Sequence, residues 1–205
     1  MKIIDVDQGS EAWHEIRGRF ATASNFADVL ATIKNGEAAG RRNYRNKLVV
    51  QRLTGKILPS YQNDAMKQGI EREPLARAAY EVATGALVHR VGFIYDEMHE
   101  AGCSPDGLIG EDGGLEIKCP EISAHLAAIR SKAEPPEYTA QIQGSMWITG
   151  RKWWDFVSWS PDFPENLQLV IRRIPRDEVK ITSLQLAVSM FMQEVREEEA
   201  ALRAL

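Results

Sequence analysis

The sequence predicts an α/β domain, a mixed central β-sheet flanked by helices, built as one unit over residues 1–205. Three observations carry that expectation. Runs rich in aromatic and β-branched residues at 87–95, 152–160 and 167–174 read as strands. Apolar residues recur at helical spacing in 65–83, 138–147 and 175–205. A glycine-rich stretch at 110–114 separates Pro105-Asp106-Gly107 from Leu115-Glu116-Ile117-Lys118-Cys119, which is a hairpin signal because such turns need backbone angles that Gly reaches easily. No internal repeat or linker divides the chain.

Composition narrows the classes. A chain of 205 residues with 44% hydrophobic and 26% charged side chains buries a core as an ordinary globular protein does. It has no run of 18 apolar residues, and Met1-Lys2 leads into Ile3-Ile4-Asp5, so neither a membrane span nor a secretory leader is expected. Cys103 and Cys119 lack metal-pair spacing. By strand parity they face away from Asp106 and Glu116, as buried free thiols in an intracellular protein. A net charge of −4 argues weakly against a nucleic-acid binder, although Lys and Arg lining one channel would suffice.

Taken in order, Ser10 is the N-cap of a short helix that Arg17-Gly18-Arg19 breaks. Thr22-Ala23-Ser24 caps a second, with Phe26, Val29 and Leu30 as its apolar stripe, and such an N-terminus is a seat for phosphate. Residues 34–40 read as a loop. The basic helix at 41–54 is either a solvated face or a stripe along a nucleic-acid path.

In the helix at 65–83, Glu73 falls on the inward face with Met66, Gly69, Ile70, Ala76 and Tyr80, where an unpaired carboxylate is costly and a metal would offset the cost. Pro74 complicates this helix: it either kinks it or marks its start, leaving Glu71 as a substitute for Glu73. On spacing alone Met66 reads as core. Residues 123–133 form a further helix, and Glu134-Pro135-Pro136-Glu137 stops it before the amphipathic helix that carries Gln141. Trp153, Trp154 and Trp159 read as sheet core, with base stacking the alternative. Pro175 opens the last helix, whose apolar set is Val179, Leu184, Leu186, Val188, Phe191, Met192 and Val195; its acidic end, 194–205, either covers the sheet or supports oligomerisation.

The hairpin carries the chemistry. Alternation puts Glu116 and Lys118 on one face of their strand and Ile117 on the other. If Asp106 lies opposite Glu116, two carboxylates and an ammonium meet. Two carboxylates with water suit Mg2+, and an adjacent lysine positions or activates a water or offsets phosphate charge. Glu-x-Lys alone is more often a surface ion pair; Pro105-Asp106 across a well-formed turn makes metal-assisted phosphodiester hydrolysis the stronger reading.

The pattern P-D…E-x-K, in the wording C-S-P-D-G-L…G-L-E-I-K-C-P, closely resembles the lambda-exonuclease-like viral recombinases of the PD-(D/E)xK nuclease superfamily, from about Trp13 to Trp159. The resemblance implies a restriction-endonuclease-like core and a 5′→3′ exonuclease on linear double-stranded DNA. It implies two Mg2+ ions, with Mn2+ able to substitute, held by Asp106, Glu116, the Ile117 carbonyl and Glu73, with Lys118 and Gln141 beside them. It further implies Arg17, Ser24 and Ser104 for the 5′-phosphate, Met66 as an apolar wedge and Asp96 as a supporting acid. A homotrimeric ring, a single-strand annealing partner and the cytoplasm of a bacterium or phage-infected host complete the expectation. One departure is plain: the family's phosphate-gripping arginine aligns with Ala124, for which Ser123 or His125 is a substitute. The alternatives are a PD-(D/E)xK endonuclease and a non-catalytic DNA-binding protein.

Overall fold

The computed structural model describes residues 1–58, 63–133 and 135–205. Glu134 of the expected helix stop lies outside the described residues. Two sheets form. The smaller runs β1 (Lys2–Ile4), β4 (Phe93–Asp96), β5 (Ala101–Cys103), β2 (Ala21–Thr22). The larger runs β3 (Val88–His89), β6 (Gly107–Ile109), β7 (Gly113–Lys118), β8 (Trp153–Trp159), β9 (Leu169–Pro175), and here β7 and β8 are parallel while the other pairs are antiparallel. A parallel neighbour needs a crossover, and α5 (Ile122–Arg130) and α6 (Thr139–Thr149) supply it.

The β6–β7 hairpin forms in the expected register, Gly107 opposite Leu115, so the position before Gly107 falls opposite Glu116. Its glycines act differently from the sequence reading. Only Gly110 takes a left-handed turn angle, φ +51°. Gly113 and Gly114 belong to β7, and a Cβ on either would stand 2.1 Å from the Trp153 or Trp154 ring. They are small because two indoles lie across them.

The five-stranded sheet is covered on both faces. Leu115, Ile117, Val157 and Trp159 pack against Ala76 and Tyr80 of α4 (Asp64–Thr84). Trp154, Phe156 and Ile174 belong to the larger core, with Ile142 and Met146 of α6 and Leu184, Val188 and Phe191 of α7 (Glu178–Arg203). Residues 142–149 of α6 are all buried, so this helix is enclosed, not amphipathic.

Several boundaries differ from expectation. The run at 87–95 is two strands in different sheets, because Gly92 turns the chain tightly against the Ile4 and Val6 backbone. Thr22 ends β2, and α2 (Phe26–Leu30) starts after a 3-10 turn without the expected side-chain cap. Leu30 is exposed. The loop at 34–40 is shorter than expected, since α3 (Ala39–Thr54) includes Ala39 and Gly40.

Pro175 closes β9, and Asp177 caps α7 by accepting from the Val179 and Lys180 amides. Val179 and Leu186 point outward, and Ile181 takes an inward place. Trp154 and Trp159 are core, as expected; Trp153 is half-buried, with Arg173 stacked 3.6 Å from its ring centre.

The arginines of α3 do not form a free stripe. Arg41 and Arg45 bind Glu194, and Arg45 also binds Glu198; Arg52 binds Glu100. The acidic end of α7 thus lies along α3, and each explains the other's charge.

Candidate active site at the end of strand β7

Strand parity and two helices build this site. Glu116 and Lys118 project to the α6 face, and Lys118 Nζ lies 2.6 Å from Glu116 Oε1. Gln141, near the start of α6, donates to the same oxygen at 2.7 Å. Ile117 projects to the α4 face, from which Glu73 reaches the end of the strand. Asp106, just before β6, accepts from the Ile117 amide through Oδ2 at 2.6 Å. Gln8 fixes the turn that delivers it, donating to the Pro105 carbonyl at 2.9 Å and the Val91 carbonyl at 2.8 Å.

These groups meet at a cleft of about 400 Å³ lined by Glu73, Asp106, Ile117, Lys118, Cys119, Tyr138, Met66 and Ile70 among others. Glu116 stands behind Lys118 and is only 3% exposed. Lys118 also sits 5.0 Å from the ring centre of Tyr138, whose own ring stacks on Phe156. Burial opposes the Lys118 charge, but Glu116 and Asp106 outweigh it and raise its pKa. Burial, then Glu116 and Glu73, pushes the Asp106 carboxyl well above its ordinary value, with Lys118 and the Ile117 amide opposing.

The donor set fits a hard cation. Among the described residues nothing donates to Asp106 Oδ1 or Glu116 Oε2, so each carboxylate keeps one oxygen for a ligand. Charge repulsion at Asp106 is relieved by added positive charge. No group of three or more His, Cys, Asp or Glu forms a ready cage among the described residues. Two carboxylates, a carbonyl and water match a cation that keeps part of its hydration shell.

The other expected residues are distributed as follows. Glu73 lines the cleft while Glu71 is exposed outside it, because α4 runs unbroken through Pro74 from the Asn63 cap. Arg77 pairs with Glu73 from the next turn. Met66 is 50% exposed at the cleft, so the core reading of this residue fails. Arg17 donates to Ser104 Oγ and Ser24 Oγ, each at 3.1 Å, uniting those three.

Asp96 is not brought in. It lies in the smaller sheet and accepts from the Met98 amide and pairs with His99, a turn role. His125 is wholly buried between Ser158 and the Leu167 carbonyl and cannot replace the missing arginine; Ser123 is exposed. Cys103 is buried, its thiol pushed up to about 12 by burial, whereas Cys119 is half-buried on the cleft wall, at the strand end where parity no longer hides it.

Residues 12–152 match the model of the YqaJ-like viral recombinase domain. The chain belongs to that family. The structure is similar to the alkaline exonuclease LHK-Exo of Laribacter hongkongensis, at 40% identity and TM-score 0.88 over 95% of this chain and 97% of that one. A second structure of LHK-Exo, in complex with dAMP, matches equally well. A phage-related exonuclease from Haemophilus somnus 129PT, at 15% identity and TM-score 0.69 over 87% and 96%, shares the fold. No curated protein matches. The identification as a lambda-exonuclease-like protein with a mixed α/β nuclease fold therefore stands, and membership places the chain among nucleases that act on DNA.

Sequence reading missed Tyr138 as the ring beside Lys118, and Gln8 and Trp13 as supports. Trp13 Nε1 donates to Ser104 Oγ at 2.9 Å, a contact across 91 residues that no local pattern signals.

Proposed function

We propose that this chain is one nuclease domain that degrades one strand of linear double-stranded DNA from its 5′ end, releases 5′-mononucleotides and leaves a 3′ single-stranded tail. The observation that supports it most is the meeting of Asp106, Glu116 and Lys118 at one strand end, flanked by Glu73 and Gln141. Asp106, Glu116, the Ile117 carbonyl and Glu73 are the residues that would hold two Mg2+ ions, with Mn2+ able to substitute. When bound, they supply Lewis acidity toward the scissile phosphate and lower the pKa of water.

The chain's own residues position the reaction. Lys118, its ammonium held by Glu116, orients the attacking water and offsets charge on the phosphate. Gln141 and Lys118 both hold Glu116 Oε1, which leaves Oε2 without a donor among the described residues and open to a ligand. Arg17, Ser24 and Ser104 receive the terminal phosphate two residues from Asp106. Met66, exposed at the cleft, is an apolar wedge at the duplex end. The dAMP complex of the similar LHK-Exo accords with a mononucleotide product. A homotrimeric ring around DNA, a single-strand annealing partner and a cytoplasmic setting in a bacterium or phage-infected cell belong to the same proposal; among the described residues no helix is long and apolar enough to cross a membrane.

The test is a gel assay with Mg2+ on linear duplex with a 5′-phosphate, the same duplex with a 5′-hydroxyl, and a closed circle. Loss of the linear strand with the circle intact supports the proposal. Cutting of the circle makes the chain an endonuclease, and no cutting with Mg2+ or Mn2+ leaves a DNA-binding protein.

A further inference from the structure

Beside the Arg17–Ser104 contact lies a small cavity whose lining includes His14, Arg17, Thr22, Tyr44 and Lys47, and no Asp or Glu. It holds about 60 Å³ of water-accessible space. At roughly 10–15 Å³ per water this is room for about four oxygen-sized groups, the size of a phosphoryl group. Three other cations of α3, Arg41, Arg45 and Arg52, each hold carboxylates. Among the described residues Arg17 donates to the hydroxyls of Ser104 and Ser24 and stacks on the Trp13 ring at 4.1 Å, and neither it nor Lys47 has an ion pair.

Such a concentration of unpaired positive charge costs free energy in the free protein and is relieved by an anion. The titration behaviour agrees: burial lowers the pKa values of Arg17, Lys47 and His14, and Arg17 further lowers those of the other two. Arg17 lines this cavity and donates to Ser104, which precedes Asp106 by two residues.

We infer that Lys47, carried by α3, is a second cation of the pocket that binds the terminal phosphate of the substrate strand, acting across this cavity from Arg17. Lys47 comes from α3, the helix whose basic residues read from sequence as either a solvated face or a stripe along a nucleic-acid path. The inference rests on the proposed end-dependent nuclease activity and deepens it. A lysine fits the role as a compact cation able to approach a phosphate from several directions. Lys47 is half-buried and, among the described residues, makes no hydrogen bond that holds the fold together, so its charge is removable without loss of folding.

The experiment compares parent, Lys47→Gln and Lys47→Arg on linear duplexes ending in 5′-phosphate or 5′-hydroxyl, read as the ratio of kcat/KM for the two ends. In parallel, the shift of melting temperature by inorganic phosphate is measured without DNA. The expected result is a ratio lowered about tenfold in Lys47→Gln, with most of it restored in Lys47→Arg, and a smaller phosphate-induced shift in Lys47→Gln. A parent that discriminates between ends, with a Lys47→Gln variant that discriminates equally, overturns the role of Lys47 while the nuclease reading survives. A parent that digests both ends alike overturns the phosphate pocket and Lys47 together. A parent without activity on any end defeats the nuclease reading; the phosphate shift then decides on Lys47 alone, and an equal shift in Lys47→Gln overturns it.

Discussion

Gln141 and Glu116 are joined by a 2.7 Å hydrogen bond from the start of one helix to the end of a strand 25 residues away. Lys118 holds the same carboxylate oxygen, so the other oxygen is fixed in direction without being occupied. Gln141→Leu removes the amide and lets the buried carboxylate turn. The expected result is a fall in kcat on linear duplex of about 10- to 100-fold, with melting temperature little changed, as for other residues that orient a ligating group. Steady-state kinetics on the purified variant check it.

Asp155, only 1% exposed, ties α4 to the sheet: Tyr80 donates to it at 2.6 Å and Arg173 binds it at 2.9 Å through two nitrogens. Asp155→Ala strands the buried Tyr80 hydroxyl while Arg173 still reaches water. It should cost about 1–3 kcal/mol, a drop in melting temperature of about 3–10 °C. Tyr80→Phe, which leaves the Asp155–Arg173 pair intact, should cost less. Thermal unfolding of both variants reads the order directly.

The clasp between α3 and α7 gives a pH-dependent term. The hydrogen bond from Arg41, then Coulomb attraction to Arg41 and Arg45, outweighs burial and holds the Glu194 carboxyl below its ordinary 4.5. A depressed carboxylate adds stability that is complete above its unfolded pKa and lost as pH falls through its folded one. Because Glu194 is 39% exposed, solvent screening limits the effect to about 1 kcal/mol. Parent should therefore melt about 2–4 °C above Glu194→Gln at pH 7, with the gap closing as pH falls below 4.5.

Gly114 lies under the Trp154 ring, where a Cβ would stand 2.1 Å from Cζ3. Both groups belong to the packed sheet, so neither yields without displacing neighbours. Gly114→Ala should cost about 1–3 kcal/mol by overpacking, whereas Gly110→Ala, with nothing within 4 Å and only the turn angle against it, should cost about 1 kcal/mol. Equal melting temperatures for the two variants would contradict this account of the hairpin glycines.

The parts of the site that were legible in the sequence are those set by local geometry. Alternation alone puts Glu116 and Lys118 together and Ile117 opposite, and the turn places Asp106 across from Glu116. Helical spacing set Glu73 inward, but only the continuous α4 decides between Glu73 and Glu71, since a proline tolerated in a helix looks like one that ends it. Partners far apart in sequence were not legible: Gln8 on Pro105, Trp13 on Ser104, and the α7 carboxylates on α3. The smaller sheet was missed because β1, β2 and β5 have two or three residues each, too few to show a period. Asp96 matched a family position, yet its oxygens serve the turn at 96–99.

The central claim is hydrolysis from a 5′ end by a site that needs Asp106, and one time course tests it. Linear duplex labelled on the 5′-phosphate of one strand or at the 3′ end is incubated with Mg2+, using parent and Asp106→Ala. The account predicts early release of the 5′ label as mononucleotide by the parent, later loss at the 3′ end, and neither in Asp106→Ala or after chelation. Release of the 3′ label first, or an Asp106→Ala variant as fast as the parent, would contradict it.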